Sequence, residues 1–261
     1  MSQTASQSSK ARRILRLSGL DTRSFLQGLV SNDVNKLDQG LVYAAFLTPQ
    51  GKYLADFFLV PPPHAEGNAQ VVLLDVAEDL ADGLLKRLRM YRLRADVTIE
   101  ATDISIQRGT GPVPDGAFSD PRHPELGWRL YGTACEDDGS DFDAIRVAHV
   151  IPETGIELTA DSYLLEAGFE RLNGVDFRKG CYVGQEVTAR MKHKTELKKG
   201  LVQVGLSGTA PVGTDITANG KTVGTLFTQA GDKAIAYLRF DKATGCMTAG
   251  EATVTWRTAY T

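Results

Sequence analysis

The amino-acid sequence predicts an α+β chain that closes with a small all-β unit, a barrel or a sandwich. Over roughly the first two thirds, strand-sized apolar runs alternate with helical patterns and hairpins, without the regular strand–helix order of a doubly wound sheet. After Lys199 the helical period disappears, and short alternating runs are separated by Gly, Asn and Asp turns. The composition, 42% hydrophobic and 23% charged over 261 residues, is that of a globular chain long enough to bury a sizeable core.

The elements follow in order. "RRILRLSG" predicts a strand, and "DTRSFLQGLV" a helix capped by Asp21, with Phe25, Leu26 and Leu29 on its apolar face. "VYAAFLTPQGKYLADFFLV" reads as a hairpin in which Pro49 presets the second turn position and Gly51 relaxes the fourth. The second strand is apolar on both faces apart from Asp56, a carboxylate that needs a partner or a ligand. A loop, "PPPHAEGNAQ", leads to the strand "VVLLDV" and to the helix "AEDLADGLLKRLRM", acidic at its start and basic at its end as the helix dipole favours.

"RLRADVTIEA" returns as a strand, and residues 109–127, with four prolines and four glycines, form a long irregular connection. "GWRLYG" is a further strand; "DFDAIRVAHVI" and "DSYLLEAGF" carry helical patterns. The all-β unit is expected over 196–261, where "ANGK" is a strong hairpin signal. No fixed-period repeat and no Walker or Rossmann glycine pattern is present.

The charge excludes some partners. With 29 basic and 32 acidic residues the net charge is −3, so no global field favours nucleic acid or an anionic membrane. No apolar run is long enough to span a bilayer. Cys135, Cys181 and Cys246 are far apart, with no C-x-x-C spacing, which argues against a zinc site or a disulfide scaffold and for a reducing compartment. His123 and His193 stand alone, so no metal ligand set is assigned. The Ser-rich, basic start loosely resembles a transit peptide; a bacterial cytoplasm is the default expectation and the mitochondrial matrix the alternative.

The stretch "RKGCYVGQEVTARMKHK" is different in character. Cys181 lies between Gly180 and Gly184, just after Arg178 and Lys179, and close before a potential helix from "GQEVTARM". Nearby cations and a helix N-terminus both favour thiolate. Arg178 to Lys199 holds seven Lys or Arg against Glu186 and Glu196, a local positive patch in a chain of net negative charge. Gln185 and Glu186 offer a donor and acceptors for a heterocycle. The residues alone stop at two readings, a reactive thiol beside an anion-binding patch or an inert cysteine on a solvated face.

Lys179-Gly180-Cys181-Tyr182-Val183-Gly184-Gln185-Glu186, with Arg190 four residues on, resembles the K-G-C-Y-x-G-Q-E…R signature of the YgfZ-type folate-binding proteins. These are relatives of the glycine-cleavage T-protein, an aminomethyltransferase, and support iron–sulfur cluster assembly. "LVSNDVNKLDQGLVYAAFLTPQGKYLADFFLV" is similar to the folate-domain segment of that superfamily, "YLLEAGFE" to its L-E-A-G stretch, and the β-rich tail to its terminal barrel.

The resemblance implies a T-protein-like ring of three domains around an opening that accepts tetrahydrofolate. Two intertwined α+β subdomains would span 10–195, the second roughly 50–110, before the barrel. It places Glu166 at the pterin, where a carboxylate can accept two hydrogen bonds from the aminopyrimidine edge. Asp56, Lys179, Gln185, Glu186 and Arg190 join it as cofactor-binding candidates, with Cys181 as the functional thiol. An Asp-Asp pair of the T-protein hairpin is Ala55-Asp56 here, which argues against aminomethyl transfer. The expected function is a folate-binding accessory factor in iron–sulfur cluster assembly or maintenance. It would act as a single copy with iron–sulfur assembly proteins, and a cluster would be held transiently. The alternatives are a tetrahydrofolate-dependent aminomethyltransferase or a binding protein for tRNA modification.

Overall fold

A computed structural model describes residues 11–61, 71–132, 136–194 and 196–256. The basic N-terminal segment up to residue 10, most of the "PPPHAEGNAQ" loop and Cys135 lie outside the described residues. The chain divides into two compact units, one formed by the chain up to Phe46 with Ala55–Ser140, the other by Leu47–Leu54 with Asp141 onward.

In the first unit, strand β1 (Arg12–Ser18) and helix α1 (Thr22–Gln27) precede a hairpin of β2 (Val42–Leu47) and β3 (Tyr53–Val60). Then come β4 (Val72–Ala77), helix α2 (Glu78–Arg92), β5 (Thr98–Ala101), β6 (Ser105–Gly109), β7 (Phe118–Ser119) and β8 (Trp128–Gly132). The main sheet runs β2-β3-β4-β1-β5, and β6, β8 and β7 form a second, smaller one. Every residue of β2 and β4 is buried, so both faces of the main sheet are covered, which explains the unbroken apolar runs in the sequence. One cover is α2, which buries Ala81, Leu84 and Leu88 and sets Tyr91 edge-on to Phe46 of β2 at 5.7 Å.

The other cover is polar at its contact. Asp75 of β4 is fully buried and accepts from Arg12 Nε (2.6 Å), Arg129 of β8 (2.8 Å) and the Tyr131 hydroxyl (2.9 Å). Arg129 also reaches Asp120 at 3.2 Å, and Arg122 forks onto both Asp120 oxygens. The Arg129 guanidinium lies 3.9 Å from the centre of the Phe58 ring, a desolvated cation–π contact. Charges at this depth persist because each is paired and hydrogen-bonded.

Several local expectations are corrected here. Asp21 precedes α1, but its carboxylate makes no capping bond and instead accepts from the Asp96 backbone N–H at 2.8 Å. β5 begins only at Thr98, because α2 ends at Leu93 with φ 46° and the chain turns there. The 109–127 connection contains β7 and a short 3-10 turn at Pro124–Leu126, and β6 was not anticipated.

The second unit contains the hairpin tip, helix α3 (Phe142–His149), a run of turns, helix α4 (Gln185–Lys194) and six strands. These are β9 (Lys199–Ser207), β10 (Asp215–Ala218), β11 (Lys221–Ala230), β12 (Lys233–Arg239), β13 (Met247–Ala249) and β14 (Ala252–Thr255). They close as β10-β11-β12-β9-β14-β13 around Val204, Ile216, Leu226, Leu238, Met247 and Val254. Asn219 and Gly220 both have positive φ, the backbone a two-residue I′ hairpin turn requires. α3 fastens to the barrel through buried Arg146, which donates to Glu157 at 2.6 Å while Glu157 accepts from Thr228.

"DSYLLEAGF" is not a helix. Gly168 takes φ 77°, and the Glu166 carbonyl accepts from Leu201 N–H of β9 at 2.8 Å instead of continuing a helical ladder. The helical period in that segment reports successive turns pressed onto the barrel. Among the described residues, no helix is long and apolar enough to cross a membrane.

Candidate functional site

The Cys181 loop is built from its glycines upward. Gly184 has φ 84°, and a β-carbon there would fall 2.5 Å from the Thr48 carbonyl oxygen and 2.9 Å from Leu47 Cβ. Gly51, at φ 75° on the facing hairpin tip, would meet Val187 Cβ at 2.8 Å. The Thr48–Gly51 turn is closed by Gly51 N–H donating to Thr48 O at 2.8 Å, with Pro49 where the sequence placed it. Only glycine at both positions allows the loop and the tip to dock this closely.

Within the loop, the Gln185 side-chain carbonyl accepts from Tyr182 N–H at 3.1 Å, so this amide fixes the turn entering α4. Tyr182 is buried, which pushes its phenol upward in pKa, and the Lys179 ammonium lies 4.9 Å from the centre of its ring. Lys179 is therefore a buried residue of the loop and not a free surface charge. Cys181 is exposed, and the space beside Gly180 is open, with no atom within 4 Å of where a β-carbon would stand. Cys246 is exposed too, so exposure alone does not single out Cys181.

The remaining cations of the stretch have separate tasks. Lys192 pairs with Glu170 at 2.5 Å, and Lys199 stands 3.7 Å from Glu166. Arg178, Arg190, Lys198 and the carboxylate-bearing Glu186 are exposed. The expected single positive patch is thus partly consumed by local pairs.

Glu166 forms a second focus. It is buried on the wall of a groove of about 530 Å³, lined also by Met191, Leu197, Lys199, Tyr237 and Arg239. Its Oε2 accepts from the Tyr237 hydroxyl at 2.6 Å. Burial, and then this bond to a carboxylate, push the Tyr237 phenol far above its ordinary pKa, so it stays a donor at any physiological pH. α4 links the two foci, since Cys181 lies four residues before its first residue and Met191 in its second half borders the groove.

Asp56 lies in the first unit, buried on β3, where it accepts from Tyr43 OH at 3.0 Å; its neighbour Ala55 is buried as well. Tyr237 is not singled out by the sequence, and Lys199 enters there only as part of the basic stretch, without its partner Glu166. A signal for Tyr237 existed: Ala234, Ala236 and Leu238 alternate into the barrel, which turns Tyr237 outward with a phenol in need of a partner.

Comparison with known proteins defines first the class and then the family. The fold superposes on the crystal structure of glycine cleavage system aminomethyltransferase T from Bartonella henselae, with TM-score 0.71 and 12% identity, over 93% of this chain and 81% of that one. At that identity the likeness shows the fold alone, an aminomethyltransferase-like arrangement of mixed α/β domains with a six-stranded C-terminal barrel.

Residues 198–259 match the C-terminal β-barrel domain of CAF17. The chain is 32% identical to human mitochondrial iron–sulfur cluster assembly factor IBA57, over 90% of this chain and 77% of the relative. It is 33% identical to the Mycosarcoma maydis IBA57 homologue, over 77% of this chain but only 57% of that relative's length. The chain belongs to the IBA57/CAF17 family of iron–sulfur cluster assembly factors. The expected kinship with iron–sulfur assembly factors holds, and IBA57 is the name these relatives carry.

Proposed function

We propose that this chain is a tetrahydrofolate-binding accessory factor of iron–sulfur cluster assembly in which Cys181 is the working thiol. The carrying observation is the presentation of that thiol. Cys181 is exposed on a loop whose base is locked by Gly184 against the hairpin tip, while the space beside the preceding Gly180 is open. An inert packing cysteine has no use for such a mount. One thiolate cannot hold a cluster by itself, so the cluster is cargo, and an assembly protein supplies the other ligands. The names of the relatives support the assembly role.

In this reading the pterin edge of the folate meets Glu166 in its groove. Lys198, Lys199 and Arg239 are the cations available to its carboxylates. Lys179, Gln185, Glu186 and Arg190 shape the thiol loop and the first turns of α4, and Asp56 is a folate candidate by resemblance alone. The compartment is a reducing one, either the mitochondrial matrix, in keeping with the word mitochondrial in the relatives' names, or a bacterial cytoplasm. Aminomethyl transfer is the weaker reading, because the first residue of the resembled Asp-Asp pair is Ala55 and Asp56 is engaged by Tyr43.

Calorimetry with tetrahydrofolate tests the ligand. Wild type should bind, and Glu166→Gln should bind roughly tenfold more weakly, because a charge-assisted pair becomes a neutral one. No heat of binding in wild type removes folate from the account; equal affinity in the two proteins removes Glu166 from the site.

A further inference from the structure

The first unit carries an exposed surface that neither the thiol loop nor the Glu166 groove uses. Leu93 is 85% exposed, Leu20 73% and Met90 60%. They lie on adjoining turns, because Leu20 N–H donates to the Asp96 carboxylate at 3.2 Å and Asp21 N–H to the Asp96 carbonyl at 3.2 Å. Around them Lys86, Arg87, Arg89 and Arg94 are all exposed, and among the described residues none of these four has an ion pair. On α2, Lys86, Arg89 and Met90 fall on one stripe, opposite the buried Ala81, Leu84 and Leu88, and Leu93 follows directly after the helix.

Leu93 is the telling residue. Its backbone has φ 46° and ψ −106°, a conformation that glycine adopts freely and leucine rarely. The strain is not offset by packing, since its side chain is in water. A helix that needed only to end would be better served by glycine here. Arg89 and Arg92 suit the dipole at the helix end, but that explanation does not reach Lys86, Arg87, Met90 or Leu93.

We propose that this end of α2, with Leu20, is the docking surface for an acidic protein partner. Leu93 and Met90 would act as apolar anchors beside the exposed cations of α2 and Arg94, with the Asp21 and Asp96 carboxylates bordering Leu20. Arg and Met are enriched at protein interfaces, and among the described residues this surface exposes no Trp or Phe of the kind that seats an amphipathic helix in a membrane. The net charge of −3 disfavours nucleic acid. The proposal uses residues of the first unit alone and stands or falls independently of folate and of Cys181.

The test is site-specific photocrosslinking in cells, with benzoylphenylalanine at Met90 of the full chain, and mass spectrometry of the adduct. The expected product is one protein, joined through a segment rich in Asp or Glu. Its yield should fall about tenfold or more with Arg87→Glu/Arg89→Glu, and likewise with Leu93→Gly. Leu93→Gly should melt at or above the wild-type temperature, because glycine takes φ 46° and ψ −106° without strain, so the loss cannot be blamed on unfolding. Absence of a protein adduct overturns the proposal, as does an adduct unaffected by these substitutions. An adduct to nucleic acid or to a second copy of the chain overturns it too. So does co-sedimentation of the wild type with vesicles of equal parts phosphatidylglycerol and phosphatidylcholine that Arg87→Glu/Arg89→Glu abolishes.

Discussion

Gly184 and Gly51 face one another at the base of the Cys181 loop, so close that a β-carbon on Gly184 would stand 3.2 Å from the Gly51 Cα. Both have positive φ, and a methyl on Gly184 would also strike the Thr48 carbonyl at 2.5 Å. Gly184→Ala should therefore cost about 1–3 kcal/mol and lower the melting temperature. It should also change the rate at which a thiol reagent labels Cys181 while leaving Cys246, on the barrel, at its wild-type rate. Unchanged labelling of Cys181 would mean that the contact does not set the thiol's presentation.

The hairpin tip and the thiol loop were each legible in the sequence, but their meeting was not. Pro49, Gly51, Gly180 and Gly184 announce turns through backbone chemistry, which is local. Their docking joins residues more than a hundred positions apart, and no periodicity encodes that. The barrel was legible for the same local reason, in its alternation and its Asn219-Gly220 turn. "DSYLLEAGF" misled because turns packed on one surface repeat apolar residues at helical spacing; only the bond from Leu201 to the Glu166 carbonyl separates the two. Nothing in "VVLLDV" singles out Asp75, because its partners arrive from β1 and β8.

That buried cluster has a pH signature. Burial alone would raise the Asp75 carboxyl, but the Arg12 and Arg129 guanidiniums outweigh it and hold the group at about 2, below its ordinary 3.8. The stability this contributes is full above the ordinary value and is lost as pH falls through about 2. Asp75→Asn should be destabilised by about 3–5 kcal/mol at neutral pH, since it strands buried guanidinium charge. Its stability should also fall less than that of wild type between pH 4 and pH 2. Parallel acid curves for the two proteins would exclude Asp75 as a source of the acid sensitivity.

Tyr237→Phe removes the hydroxyl that donates to Glu166 and leaves the ring in place. The expected loss of stability is about 1 kcal/mol, with the Glu166 carboxylate freed on one side. If Glu166 holds the pterin, tetrahydrofolate affinity should change in this variant. Calorimetry giving the wild-type value would show that Tyr237 only fastens the L-E-A-G turn to the barrel.

Cys181→Ala deletes an exposed side chain, so its melting temperature should match wild type, within about 0.5 kcal/mol in stability. The central claim is that this thiol, and not the fold alone, carries the function. The most direct measurement is the activity of iron–sulfur enzymes in cells whose only copy of the protein is Cys181→Ala, beside cells carrying Cys246→Ala, with protein levels matched. The account predicts that those activities collapse with Cys181→Ala and persist with Cys246→Ala. Full iron–sulfur enzyme activity in the Cys181→Ala cells would contradict it.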